Sequence, residues 1–344
     1  MKLVIQIPCL DEEETLPQTL AALPRQVAGI DEIEVIVIDD GSADATAAVA
    51  RANGVHEVIR FPSHQGLARA FAAGLDHALQ RGADVIVNTD ADNQYDARDI
   101  EALVQPILRG EADMVIGDRD TARLEHFSLM KRLLQRLGSW AVRQLSGTKI
   151  PDVTSGFRAI SRSAALKLNV LSDFTYTLET IIQAGKKQIA IAHVRVRVRP
   201  TLRPSRLFSG PSHYIRRSAA TLLRMYAFYE PFKFFLLIGS LMMLVASAIG
   251  VRFLWNYFTE GGGGHIQSLI LAGALIVTGI VTWLFGVLAD LIGRNRQLSE
   301  EILLRMRRLE LHVGGGPEAR RPQSPPRADD AAVSPRWRAD RRPR

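Results

Sequence analysis

Two stretches of this 344-residue chain carry no charged side chain at all, residues 234–251 and residues 266–289. At 1.5 Å per residue, helices of these lengths extend about 27 Å and about 36 Å, against a bilayer hydrocarbon core of about 30 Å. A helix that is apolar all round must be enclosed by lipid or by a large protein core. The reading for residues 234–292 is therefore a two-helix transmembrane hairpin. Trp255, Tyr257 and Phe258 follow the first run, as interfacial aromatics do. Four consecutive glycines, 261–264, make a short connection. The stretch between the runs holds only Arg252 and Glu260, whereas the flanks hold Arg216, Arg217, Arg224 and Lys233 on one side and Arg294, Arg296, Arg305, Arg307 and Arg308 on the other. The positive-inside rule then places both flanks, with the N-terminal region and the C-terminus, on the cytoplasmic face of the plasma membrane.

Charge elsewhere is modest. The net charge is +7, and residues 314–344 account for +4 of it, with eight Arg against four acidic residues. That segment reads as a disordered basic tail suited to anionic headgroups. The remainder is too nearly neutral for a nucleic-acid groove, so no nucleic-acid partner is expected. The single cysteine, Cys9, excludes a disulfide scaffold and a cysteine-built zinc site. Residues 200–233 read as a loop followed by an interfacial amphipathic helix, with Ile215, Ala219, Leu222, Leu223 and Tyr226 at helical spacing and Arg216, Arg217 and Arg224 on other positions of the turn. Residues 293–313 read as one more polar-faced helix, on the cytoplasmic side.

Residues 1–199 alternate short apolar runs (3–7, 33–38, 55–59, 84–87, 113–116) with longer Ala- and Leu-rich helical patterns (13–23, 43–52, 67–80, 98–108). That alternation implies βαβ units and a mostly parallel sheet covered on both faces. Ser42 and Asp96 stand where helix N-caps are expected. Residues 1–10 break at Pro8 and run into Asp11, Glu12, Glu13 and Glu14, so they read as a buried first strand rather than a leader.

Ligands bind open α/β sheets at the carboxyl ends of the strands, and here those ends are acidic. Pro8-Cys9-Leu10-Asp11-Glu12-Glu13 follows the first strand, Asp39-Asp40-Gly41-Ser42 the second, and Asp90-Ala91-Asp92-Asn93-Gln94 the fourth. Three acidic clusters on one rim repel unless they hold a cation or accept from a sugar or base. In Asp90-Ala91-Asp92 alternate residues of an extended segment face one way. Carboxylate ligands of this kind suit Mg²⁺ or Mn²⁺, held by one or two carboxylates and a substrate diphosphate.

Together with Thr154-Ser155-Gly156-Phe157-Arg158, these motifs resemble, in their order and spacing, the family 2 glycosyltransferases. The branch most similar is that of dolichyl-phosphate mannosyltransferases and polyprenyl-phosphate glycosyltransferases with a two-span membrane anchor. The resemblance covers roughly residues 2–209 and implies a GT-A fold, Rossmann-like, acting on a nucleotide-diphosphate sugar. By the family's pattern Pro8, Asp11, Glu12 and Asp39 would contact base and ribose, Asp90 would face the nucleotide, and Asp92 and Gln94, with Asp90, would hold the metal. The family usually has Asn where this chain has Asp11, and many members have Pro where it has Asp96.

On the acceptor side, Arg119 follows the fifth strand, Lys131, Arg132 and Arg136 lie on a following helix, and Arg203 and Arg206 lie in residues 202–208, which resemble the loop that family members close over the site. Arginine reads phosphate bidentately. Arg119, Arg132 and Arg206 are the expected acceptor-phosphate contacts and Arg203 a donor contact. Asp92, Asp152 and Arg119 are the candidate catalytic residues, Asp152 being the carboxylate that would act as base for an alcohol acceptor. The expectation is a metal-dependent, inverting enzyme moving a sugar from a UDP- or GDP-sugar to a polyprenyl monophosphate. A hydroxyl acceptor and an inactive membrane scaffold are the alternatives, and a homo-oligomer is left open. A processive polysaccharide synthase would need more spans. A pyrophosphorylase or dinucleotide dehydrogenase would need glycines where the first strand ends in acids.

Overall fold

The computed structural model describes residues 1–120, 142–143, 146–148, 150–170, 176–199, 223–224, 226–260 and 266–314. The contacts within the chain divide it into two units, Met1–Tyr214 with Met306–Arg344, and Ile215–Arg305.

In the first unit the elements run β1 (Lys2–Cys9), α1 (Leu16–Ala22), β2 (Glu32–Asp39), α2 (Thr46–Ala52), β3 (Glu57–Arg60), α3 (Leu67–Gln80), β4 (Val85–Asn88), α4 (Ile100–Leu108), β5 (Met114–Asp118), β6 (Arg158–Ser161), α5 (Arg162–Lys167), α6 (Tyr176–Lys186) and β7 (Ile191–Arg195). The strands form one sheet in the order β3-β2-β1-β4-β6-β5-β7. Pairings are parallel except at β6, which runs antiparallel to both β4 and β5. The core strands are apolar on both faces because helices cover both: Leu3, Ile5, Ile7, Val35, Val37, Val85, Val87 and Val115 pack in one cluster with Leu16, Leu20, Leu103 and Val104.

The five expected strands and four expected helices are present. The caps differ. Ser42 does not cap α2, whose N-cap position is Ala45. Ser42 is used instead to join two loops, donating its N–H to Asp39 and accepting the Asp11 N–H on Oγ. Asp96 does cap, accepting from Arg98 N at 3.1 Å at the start of a 3₁₀ turn, Ala97–Asp99.

The reversed strand β6 matters most for the site. In its register with β4, Asn88 pairs with Arg158. The beginning of β6 therefore meets the end of β4, and the segment 152–157 leading into β6 lies against the Asp90 loop leaving β4.

The second unit contains two long helices, α7 (Pro231–Glu260) and α8 (Ile266–Gly314), the latter extending beyond the unit into Met306–Gly314. Pro231–Thr259 and Ile266–Leu311 contain stretches long and apolar enough to cross a membrane, and their most apolar windows are only 11% and 17% buried. They pack through small residues: Ala246 and Ala272 are buried, and a Cβ on Gly279 would lie 3.2 Å from Gly239 O. Ala272, Gly279 and Gly286 recur every seven residues on α8, each facing the partner helix once per two turns. Trp283 Nε1 donates to Leu236 O at 3.3 Å. α7 continues through Trp255, Tyr257 and Phe258, all exposed, and ends just before the four glycines. Residues 293–313 are helical as expected, but they continue α8 without a break.

Candidate active site

The loop after β1 and the loop after β2 are tied to each other. Asp11, at φ 51°, accepts Ala43 N on Oδ1 at 2.8 Å and donates its own N–H to Ser42 Oγ at 2.9 Å. Glu12 N donates to Thr46 Oγ1 at 2.8 Å, and the Glu12 carboxylate accepts from Thr15 Oγ1 at 2.6 Å. Asp40 accepts Gln65 N and Gly66 N at 2.7 and 2.9 Å, and His64 Nδ1 lies 2.8 Å from it. Gly41 is required between them: its φ is +74°, and a Cβ there would lie 2.5 Å from the backbone carbon of Ser63. His64 is thus part of the loop scaffold.

Asp39 is fully buried. Its Oδ1 accepts Ser42 N at 2.9 Å, while Oδ2 accepts no hydrogen bond and has Arg60 Nε 3.3 Å away. Cys9, at the end of β1, is buried with its thiol pushed well up by desolvation and neighbouring carboxylates, which removes it as a nucleophile.

The loop after β4 carries the acidic triplet. Desolvation and the neighbouring Asp92 carboxylate push Asp90 up to about 7, against the pull of Arg119 and Arg158. Desolvation also raises Asp92, partly offset by the Gln94 N–H it accepts at 3.0 Å. Two carboxylates raised together are a site short of positive charge. Among the described residues no group of three or more His, Cys, Asp and Glu side chains forms a metal cage. Two carboxylates and one amide fit a Mg²⁺- or Mn²⁺-type ion that completes its shell with diphosphate oxygens and water. The loop is held from outside: Arg199 donates its N–H to Gln94 O at 2.8 Å and its guanidinium to Asn93 Oδ1 at 2.7 Å, and Tyr95 bridges Val198.

Arg119, just beyond β5, meets Asp152 in a fork: Nε to Oδ2 at 2.6 Å and Nη2 to Oδ1 at 3.0 Å, with Nη2 also reaching Thr154 Oγ1 at 2.7 Å. Asp152 is 1% exposed and also accepts from Thr154 and from the Arg119 N–H. Burial alone would raise its carboxyl, but the hydrogen bonds and charge of Arg119 outweigh it and hold it below the ordinary carboxylate range.

Behind the triplet lies a buried polar chain absent from the sequence reading. Gln6 Nε2 donates to Asn88 Oδ1 at 2.9 Å, and Asn88 Nδ2 donates to Gly156 O and Tyr176 Oη at 2.8 and 2.9 Å. Gly156 N donates to Tyr95 Oη at 3.2 Å. A Cβ on Gly156 would lie 2.9 Å from Asp90 Oδ1, so only glycine lets the turn approach the carboxylate. Gln6 and Asn88 are polar interruptions in otherwise apolar strands, and that was their one visible signal.

Pro8, Asp11, Glu12, Asp39, Asp90, Asp92, Gln94, Arg119 and Asp152 thus all stand along the carboxyl edge of β1, β2, β4 and β5 or on the turn beside it. Arg132, Arg203 and Arg206 lie outside the described residues.

A mostly parallel sheet with one reversed strand beside an acidic triplet is a GT-A type glycosyltransferase fold. The model of the glycosyl transferase family 2 matches residues 4–168. An uncharacterized glycosyltransferase of Mycobacterium bovis is 32% identical over 53% of this chain and 78% of its own length. The polyprenol monophosphomannose synthase of Mycolicibacterium smegmatis is 30% identical over 48% and 64%, and the undecaprenyl-phosphate mannosyltransferase of Micrococcus luteus 31% identical over 46% and 66%. Among solved structures, glucosyl-3-phosphoglycerate synthase from Mycobacterium tuberculosis in complex with Mn²⁺ and UDP-glucose is similar at a TM-score of 0.50 and 25% identity, covering 65% of this chain and 78% of that one. The chain belongs to glycosyl transferase family 2, and it is a glycosyltransferase with two candidate transmembrane helices at its C-terminal side.

Proposed function

We propose that this glycosyltransferase moves a sugar from a nucleotide-diphosphate sugar to a polyprenyl monophosphate on the cytoplasmic face of the plasma membrane, with inversion at the anomeric carbon. The observation that carries the reading is the state of Asp152. The carboxylate that would deprotonate an alcohol acceptor has its oxygens occupied by Arg119 and Thr154 and is held ionised by them. An acceptor that needs no base fits this site. A phosphate monoester with a second pKa of about 6 is largely dianionic at neutral pH.

In this mechanism an oxygen of the lipid phosphate attacks the anomeric carbon, the bond from that carbon to the nucleoside diphosphate breaks, and its electron pair leaves with the diphosphate. Arg119 binds the acceptor phosphate with its remaining donor capacity, while Asp152 and Thr154 fix its plane. Arg132 and Arg206 add acceptor contacts and Arg203 a donor contact. Pro8, Asp11, Glu12 and Asp39 line the base and ribose. Asp90, Asp92 and Gln94 would hold Mg²⁺ or Mn²⁺, which would supply positive charge to the leaving diphosphate. Most of the catalytic effect is then positioning and charge neutralisation. The polyprenol-phosphate relatives and the two apolar helices support a lipid-borne acceptor.

The test is incubation of membranes containing the protein with labelled UDP- and GDP-sugars and either undecaprenyl or dolichyl phosphate. The expected product is a mild-acid-labile lipid carrying the label, with release of the nucleoside diphosphate. Label appearing only on hydroxyl acceptors would overturn the reading.

A further inference from the structure

Arg158, at the start of β6, is 0% exposed and is among the largest fully buried side chains of the described residues. Its hydrogen bonds all end on neutral oxygens: Ser155 O at 2.8 Å, Val153 O at 3.2 Å and Thr180 Oγ1 at 2.5 Å. Its guanidinium carbon lies 5.6 Å from the centre of the Tyr176 ring. A guanidinium is rarely buried without a carboxylate on it, because desolvating the charge is costly. Its place here is explained by what it holds.

What it holds is the turn 152–156. The carbonyls of Val153 and Ser155 point to Arg158, and the side chains of Asp152 and Thr154, in the same turn, grip Arg119. The far end of the fork reaches Thr180 on α6, whose hydroxyl in turn donates to Tyr176 O at 2.8 Å. The turn is thereby fastened to a helix at one end, and at the other to Asn88 and Tyr95 through Gly156. Arg158 reaches its three acceptors from three separate nitrogens, Nε, Nη1 and Nη2; a lysine carries its three donors on one nitrogen and lacks the width to span them.

We propose that Arg158 is a positioning residue for acceptor binding: it locks the 152–156 turn so that Asp152 and Thr154 aim Arg119 at the acceptor phosphate. This rests on the reading of Arg119 as an acceptor-phosphate ligand.

The experiment is a double-mutant cycle on the full chain in detergent, read as binding of undecaprenyl phosphate and, separately, of Mn²⁺ with whichever of UDP or GDP the unaltered chain binds. Arg158→Lys is expected to weaken undecaprenyl-phosphate binding by about tenfold, the effect of one misaligned charge-assisted hydrogen bond, and to leave nucleotide binding within about twofold. In an Arg119→Ala background, Arg158→Lys is expected to add nothing, because the two residues act through one contact. Thr180→Val should behave as Arg158→Lys does, and Thr180→Ser, which keeps the hydroxyl, should restore binding. If Arg158→Lys does not fold, the cycle with Thr180→Val decides. Effects that multiply across the cycle, or equal losses of lipid and nucleotide binding, overturn the proposal and make Arg158 merely structural. Arg119→Ala with undiminished undecaprenyl-phosphate binding overturns the reading of Arg119 itself, a separate result.

Discussion

Asp152→Asn separates a base from an orienting group, and the structure sets the size of its effect. The substitution keeps the shape but replaces one acceptor oxygen with an NH₂. Asp152 receives Arg119 Nε on one oxygen and Arg119 Nη2 on the other, so in either amide orientation a donor faces a donor. It also strips the negative charge from a pair whose side chains are 18% and 1% exposed. Breaking a buried ion pair from one side costs about 3–5 kcal/mol. For a unit of this size that is a fall in Tm of roughly 6–20 °C. The pH sign follows from the depressed carboxyl. The stabilisation is fully present above the unfolded-state value, near 3.9, and is lost as pH falls through the lower folded value. Wild type and variant should therefore differ fully at pH 7 and converge only below about pH 4. Thermal unfolding against pH, paired with steady-state kinetics, checks this. The acceptor KM should rise, and the acid limb of the rate profile should stay near the second phosphate pKa of about 6. An Asp152→Asn protein as stable as wild type, inactive, and binding donor and acceptor normally would refute the argument and restore Asp152 as a base.

Asp92→Ala should abolish turnover while the protein remains folded, and a divalent-metal chelator should do the same reversibly with Mg²⁺ or Mn²⁺; full activity in chelator would remove the metal from the scheme. Because Asp90 stands near 7 and a cation must displace its proton, Mn²⁺ affinity measured by titration should rise about tenfold per pH unit below that value and level off above it. A Mn²⁺ affinity flat from pH 5.5 to 8 would count against Asp90 as a ligand (about one proton should be released per ion). For topology, a cysteine at position 262 should label from outside the cell and one at position 299 should not, with Cys9 protected by burial.

The class of fold was legible because apolar runs of strand length alternate with helical patterns, a local property of residues 3–116. The two candidate membrane helices were legible as long apolar helices for the same reason: Phe234 to Val251 contains no charge, whatever surrounds it. The acidic rim was legible because parallel strands bring their carboxyl ends to one edge, so Asp11, Asp39 and Asp90 had to share that edge. Three features were decided only by tertiary structure. The reversal of β6 between β4 and β5 set Arg158 beside Asn88, a pairing across seventy residues that no local pattern encodes. That pairing gave Asp152 its arginine partner, and its charge state follows from the partner rather than from the residue. The chain Gln6–Asn88–Tyr176 likewise exists only when two strands and a helix come together, because a buried polar group takes its meaning from what satisfies it.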